Sequence, residues 1–187
     1  MSTNAAEVAV GITGAVYSAD QGATVTAPTT SQSTVDTDLF NLGYVNEDGV
    51  EEAYDDTIEE IVAWQNATVV RSLTTESKAT LKFVLIQTKG KVLELYHKGS
   101  EVTVAGSGEW KIEVKAPTPD RRCFLIDVID GSKHIRIWVP DGEVTEREPI
   151  AYKNDEPIAY SMTITCYPDA NNVVLTKFSN DASWGYS

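Results

Sequence analysis

Residues 77–87 read SKATLKFVLIQ, and this stretch is the clearest guide to the fold. One face of an extended chain would carry four apolar side chains here: Ala79, Leu81, Phe83 and Leu85. The opposite face would carry the polar residues Thr80 and Lys82, followed by the apolar Val84. Alternation with a period of two is the pattern of a β-strand that buries one face. The stretch therefore predicts a strand at the centre of a β-rich fold.

A short helix is predicted directly after this strand. Val92, Leu95 and Tyr96 recur at helical spacing, so they would form one apolar side. Thr88 is placed to cap the start of the helix, and Gly99 stands where a helix-terminating glycine belongs. A helix of this length needs packing against the sheet to be stable.

The remainder of the chain from residue 101 predicts a meander of hairpins. Gly and Asp turn residues, above all Asp130-Gly131, separate the apolar runs. The predicted strands occupy residues 101–105, 109–115, 122–129, 134–139, 143–152, 158–167 and 172–178. About ten strands with one helix indicate a mainly β fold, a β-sandwich or barrel-like structure with a helix on one flank. We expect one domain over residues 1–187.

The first 73 residues predict three further segments. Residues 8–17 have the composition of a strand interrupted by glycines, and residues 18–38 are small and polar, as in a flexible arm or loop. Residues 44–73 combine an acidic segment with a long hairpin that turns at Gln65-Asn66. Glu59 and Glu60 favour helix, but the β-branched residues around them favour strand.

Negative charge is concentrated in the first part of the chain. The formal net charge is -13, yet residues 1–70 contain twelve acids and no Lys or Arg. From Arg71 onward, acids and bases almost balance. An acidic surface repels the phosphates of nucleic acids. The composition therefore argues against a nucleic-acid-binding protein.

Catalytic, cofactor and metal motifs do not emerge from the sequence. The acid pairs, such as Asp55/Asp56, are adjacent, so in a strand the two carboxylates would point to opposite faces and not converge on a substrate. His97 and His134 lack ligand partners at metal-binding spacing. We therefore expect no catalytic, cofactor-binding or metal site, and no enzyme activity.

The four tryptophans allow an alternative, a β-sandwich module that binds carbohydrate or a receptor: Trp64, Trp110, Trp138 and Trp184.

The sequence also bears on localisation. It contains no apolar run of about 18 residues, so no membrane-spanning helix is expected. The first residues lack the basic and apolar regions of a signal peptide. We expect synthesis in a cytoplasm without export and no membrane partner.

Eight stretches, taken together and in order, carry a resemblance that spans nearly the whole chain. They are residues 10–17, 42–50, 61–65, 79–83, 92–96, 130–137, 140–144 and 182–187. In this set the chain resembles the major tail tube proteins of long-tailed, non-contractile (siphovirus-type) bacteriophages that infect actinobacteria. A type VI secretion tube subunit would share the fold.

The resemblance implies a structural role in the virion tail. Six subunits would form a ring in which strands from all six close an inner β-barrel around a channel. Rings would stack around a tape-measure protein, with a tail terminator and distal tail proteins at the tube ends. The genome would leave through the channel without specific binding. The resemblance assigns no catalytic residue and no cofactor to this sequence.

Two hypotheses join the resemblance to the residues. One face of the hairpin lines the channel and its acids keep DNA from sticking; the candidates are Glu51, Glu52, Asp55, Asp56, Glu59 and Glu60. The alternative is that these acids form a solvated outer loop that aids solubility. The second hypothesis is that residues 18–38 become ordered on a neighbouring ring.

Overall fold

The computed structural model describes residues 8–185. Within them the elements are β1 (Thr13–Ser18), β2 (Phe40–Asn41), β3 (Val45–Val62), β4 (Val69–Leu85), α1 (Gly90–Tyr96), β5 (Val102–Gly106), β6 (Glu109–Ile112), β7 (Arg122–Asp130), β8 (Lys133–Arg147), β9 (Tyr160–Cys166), β10 (Thr176–Ser179) and a 3-10 helix (Ala182–Trp184). The structure is mainly β with antiparallel strands and one short α-helix. This confirms the predicted fold class.

Eight of these strands form one antiparallel sheet in the order β2-β1-β7-β8-β9-β4-β3, and β10 adds to β8. Strands β5 and β6 form a separate hairpin. The long strand β8 changes partners along its length. Its first half pairs with β7 and β10, and its second half pairs with β9. The sheet therefore consists of two halves that share β8 and enclose the main core, and a smaller apolar cluster forms around Leu125 and Trp138.

The core confirms the alternation in residues 77–87. Leu81, Phe83 and Leu85 are fully buried, and they meet side chains from both halves of the sheet and from α1. The fully buried members of this cluster include Val92, Leu95, Phe124, Ile126, Met162 and Ile164. Apolar burial of this kind is the main favourable term in folding, and here it fixes the sheet beneath the helix.

The break predicted between the strands at 134–139 and 143–152 is wrong, because β8 runs continuously through Pro140 and Gly142. A shift of register between β7 and β8 falls at this position, where Arg122 lies opposite Gly142 and Phe124 opposite Val139. Such a bulge accommodates Pro140, which has no N–H for the ladder. The strand predicted over 143–152 accordingly belongs to β8 and ends at Arg147.

Gly142 is required by the packing at this bulge. A Cβ atom there would lie 2.9 Å from the Phe124 ring and 3.0 Å from Ile164 Cγ2. Gly142→Ala should therefore lower the free energy of unfolding by about 1–3 kcal/mol through overpacking. Urea unfolding of the variant checks this, with Gly106→Ala as control because a Cβ at Gly106 meets nothing within 4 Å. Equal unfolding midpoints for the two variants would contradict the packing argument.

Two smaller predictions also fail. Thr88 does not cap α1: the N-cap is Lys89, without a side-chain hydrogen bond, and Thr88 Oγ1 lies 3.2 Å from the Tyr160 hydroxyl. The strand near residues 172–178 does not form a hairpin with β9; it is β10 and pairs with β8. Gly99 does take the left-handed conformation expected after a helix, with φ of +78°.

The segment between β1 and β2 contains no helix or strand and lies against the body of the protein. Ser31 is buried, and the Ser33 carbonyl accepts a hydrogen bond from Arg136 Nη1 at 2.5 Å. The Asp36 carboxylate accepts hydrogen bonds from the Asp38 amide and from the Thr26 amide, which lower the pKa of Asp36. These contacts favour the loop over the free arm for residues 18–38. Ordering on a neighbouring ring stays a prediction.

Candidate assembly interface

A two-stranded ribbon extends beyond the core. Strands β3 and β4 pair with each other up to Val62 and Val69, but β4 pairs with β9 only over Ala79–Leu85. Residues 55–78, here called the ribbon, therefore have only each other as sheet partners among the described strands. At about 3.3 Å per residue the ribbon reaches roughly 30 Å from the core to its turn. The predicted hairpin is present, and it is longer than expected.

The six acidic candidates all lie on β3 and divide equally between its faces. Residues directly opposite in an antiparallel pair share a face. Three acids lie opposite core-facing or small residues of β4, on what we call the core-side face: Glu52 opposite Leu81, Asp56 opposite Ser77, and Glu60 opposite Ser72. The other three lie on the reverse, the outer face: Glu51 opposite Lys82, Asp55 opposite Lys78, and Glu59 opposite Leu73.

The outer face has both signs of charge. Besides the two lysines that oppose acids, Arg71 lies opposite Ile61 and Glu76 opposite Thr57. Lys82 Nζ also forms an ion pair with Glu148 Oε1 at 2.6 Å, and this hydrogen bond raises the pKa of Lys82. Opposite charges across two strands stabilise the pair by about 0.2–1 kcal/mol. The outer face is thus a polar surface suited to water.

The core-side face combines acids with exposed apolar side chains. Tyr54, Ile58 and Val62 alternate with its three acids, and each is more than half exposed. The Tyr54 hydroxyl donates a hydrogen bond to Glu52, which raises the pKa of Tyr54 to about 12. Glu52 also forms an ion pair with Lys177 at 2.7 Å. A row of apolar side chains left in solvent by one chain is typical of a surface that contacts another protein.

The edges of the ribbon are unpaired within the described chain. Strand β3 is the last strand of the sheet, and residues 69–78 of β4 have no described partner on the side away from β3. Free strand edges invite pairing with another chain, and charged side chains restrain uncontrolled pairing. The acids of β3 lie along such an edge.

The ribbon ends in an apolar turn. The Ala63 amide donates to the Thr68 carbonyl at 2.8 Å, and this hydrogen bond closes a turn in which Trp64 is 96% exposed. Apolar neighbours are also exposed: Ile61, Val62, Val69 and Val70. The other three tryptophans lie on different elements, and Trp138 is buried. Sequence reasoning did not single out Trp64 as the tip of the hairpin, although it directly precedes the predicted turn.

A buried ion pair lies outside the ribbon. Arg136 binds Asp127 through two hydrogen bonds of 2.6 and 2.9 Å, and both side chains are buried. The two residues are directly opposite on β7 and β8. The sequence signal for this pair is the predicted Asp130-Gly131 turn, because counting equal numbers of residues outward along the two strands from Asp130 opposite Lys133 places Asp127 opposite Arg136. With the Ser33 carbonyl bound to the same guanidinium, the arrangement holds the loop onto the sheet.

Metal-ligand clusters and membrane-spanning helices are both absent from the described residues. Over residues 8–185 no three His, Cys, Asp or Glu side chains are grouped as metal ligands would be. Over the same residues no helix has the length and apolar character needed to cross a membrane.

The comparison with known proteins agrees with an assembly surface. A family model described as phage tail tube protein matches residues 1–186. No curated protein matches the chain. Since the family match covers almost the entire chain, the chain belongs to the phage tail tube protein family.

Proposed function

We propose that this structural protein of the phage tail assembles into stacked hexameric rings and that its ribbons close a β-barrel around a channel for the genome. The observation that carries the proposal is the ribbon, which has two free edges and exposed apolar side chains. A two-stranded hairpin alone is marginally stable in water. Strands from neighbouring copies would satisfy its backbone groups, and a closed barrel has no free edges.

The two faces of the ribbon suggest how it is oriented in such a tube. The core-side face, with Tyr54 and Ile58, would contact a neighbouring subunit, because its apolar side chains gain from burial. The outer face would line the channel, because its charges remain hydrated there. On this proposal Glu51, Asp55 and Glu59 face the genome, whereas Glu52, Asp56 and Glu60 lie at subunit contacts.

Acids that face the channel have a clear electrostatic role. Duplex DNA carries one negative charge per about 1.7 Å of its axis, so even weak basic contacts would add up along a tube. On the outer face, Glu51 and Asp55 stand opposite Lys82 and Lys78 and offset their charge. The genome would pass without being held.

The resemblance to tail tube proteins of actinobacterial siphophages supports the finer part of the proposal. The tube would be non-contractile, assembled in the host cytoplasm around a tape-measure protein, and bounded by a tail terminator and distal tail proteins. Residues 1–187 would act as one domain, with the 18–38 loop contacting a neighbouring ring. The chain would act without catalysis.

Assembly can be tested directly on the purified chain. We expect light scattering to show high-mass species on concentration, and negative-stain electron microscopy to show rings or hollow tubes. The measurement is repeated with the tape-measure protein, in case tube growth requires an initiating complex. A monomer that persists at every concentration in both experiments would contradict the proposed function.

A further inference from the structure

We propose that the apolar tip of the ribbon in one copy seats in a groove on the body of another copy. The tip is residues 61–70. The groove lies between α1, β2 and the β5–β6 hairpin. This inference rests on the proposed function and names the part of the second copy that receives the ribbon.

The groove is large and has an apolar lining. Its volume is about 870 Å³, and five apolar side chains line it: Leu39, Phe40, Leu93, Val102 and Trp110. Trp110 is 69% exposed in the single chain, and Phe40 is also exposed. Groups of this kind gain from being covered by another apolar surface. The groove is therefore an acceptor with no described occupant within residues 8–185.

The tip has the matching character. Trp64 is almost completely exposed at the turn and has Ile61 and Val70 beside it, also exposed. Asn66 and Ala67 have φ angles of 57° and 49°, a left-handed backbone conformation that is uncommon for residues other than glycine and in which Asn is enriched. Two successive residues with positive φ are typical of a tight hairpin turn. The turn presents a large aromatic ring at the far end of a narrow ribbon.

The groove and the tip belong to different copies. None of the residues that line the groove comes from the ribbon, and Trp64 could not be 96% exposed if it lay in the groove of its own chain. The ribbon carries the tip roughly 30 Å away from the core. Another subunit is therefore the surface that the tip can reach.

Charge favours the same pairing. Glu60 lies just behind the tip on the core-side face, and Lys89 and Lys91 line the groove together with Glu94. Lys89 Nζ donates to the Asn41 carbonyl, a neutral group, so its charge remains available to an incoming acid. Lys91 forms ion pairs with Asp20 and Glu94, and its Nζ lies over the Phe40 ring, 4.8 Å from the ring centre. An apolar contact flanked by opposite charges fixes both affinity and orientation.

Cross-linking between two variants, each with one added cysteine, tests the contact. Gln65→Cys places a thiol on the tip and Lys89→Cys places one at the groove, while Trp64 and the apolar lining stay intact. Burial raises the pKa of Cys123 to about 11 and that of Cys166 to about 12, so both native thiols stay protonated near neutral pH. We expect a covalent dimer on mild oxidation of assembled mixtures of the two variants. Lys153→Cys replaces Lys89→Cys as the control, because Lys153 is exposed and does not line the groove.

A second measurement addresses the anchor itself. Trp64→Ala should raise the concentration needed for assembly at least tenfold. Trp184→Ala is the control, because Trp184 is half-exposed but lies outside the tip and the groove, and it should change this concentration less than twofold. Tubes that form without the 65–89 cross-link would overturn the groove contact and leave the proposed function standing. Absence of any tubes or rings for the wild type would contradict both. A persistent monomer whose groove binds an oligosaccharide would favour the carbohydrate-binding module and overturn the proposal.

Discussion

Arg136→Met should lower the free energy of unfolding by about 3–5 kcal/mol, because it removes the guanidinium from the buried Asp127 carboxylate and leaves it the His134 imidazole, whose Nε2 lies 3.1 Å from Asp127 Oδ1. Arg136 is 3% and Asp127 6% exposed, and the two are joined by two short hydrogen bonds. The same substitution removes the hydrogen bond to the Ser33 carbonyl. Denaturant unfolding of the monomer, followed by tryptophan fluorescence, measures the loss. Such a change is a large part of the 5–15 kcal/mol that stabilises an ordinary domain.

The double variant Arg136→Met with Asp127→Leu is the control. Replacing both partners of a buried ion pair by apolar residues is often neutral or stabilising, whereas removing one is strongly destabilising. We therefore expect the double variant to recover most of the lost stability. A single variant that loses less than about 1 kcal/mol would show that Asp127 is already satisfied without Arg136.

Tubes that carry Glu51→Gln, Asp55→Asn and Glu59→Gln should retain duplex DNA, whereas wild-type tubes should not. The three substitutions remove the outer-face acids of β3 and leave Glu76 on β4 against Arg71, Lys78 and Lys82, so this face becomes net positive. Binding should fall steeply as salt is raised, since phosphate contacts release counterions. Co-sedimentation of a short labelled duplex with the tubes, at several salt concentrations, measures the effect.

The core-side acids offer a control with the same change of charge. Glu52→Gln, Asp56→Asn and Glu60→Gln alter the opposite face of the same strand. If the outer face lines the channel, these tubes should not retain DNA. Retention by the core-side variant alone would reverse the proposed orientation. Equal retention by both variants would place neither face specifically at the channel.

The sequence predicted the elements that the core stabilises. Leu81, Phe83 and Leu85 alternate because one face of β4 is buried, and Val92 and Leu95 recur at helical spacing because α1 covers that core. The hairpin turn at Asp130-Gly131 was predicted for a local reason, and Gly131 has a positive φ of 58°. Local signals of this kind can be read without knowledge of distant contacts.

The errors occur where distant contacts decide. Pro140 and Gly142 look like a turn, but a bulge against β7 carries the strand through them. The pairing of β10 with β8 joins segments about forty residues apart, which no local pattern indicates. The length of the ribbon was underestimated because both of its faces are exposed, so its residues show no sustained apolar alternation. The faces of the six acids follow from register, which the sequence alone does not define.

The change of partners along β8 has a consequence for how the protein comes apart. Because β8 belongs to both halves of the sheet and side chains of both halves pack into the same core cluster, opening either half would expose the core of the other. The body should therefore unfold as one cooperative unit, in a single transition with coincident probes. The ribbon lies outside this unit, since its residues bond only to each other. Its amides should exchange with solvent deuterium long before those of β8, through local openings that leave the body intact.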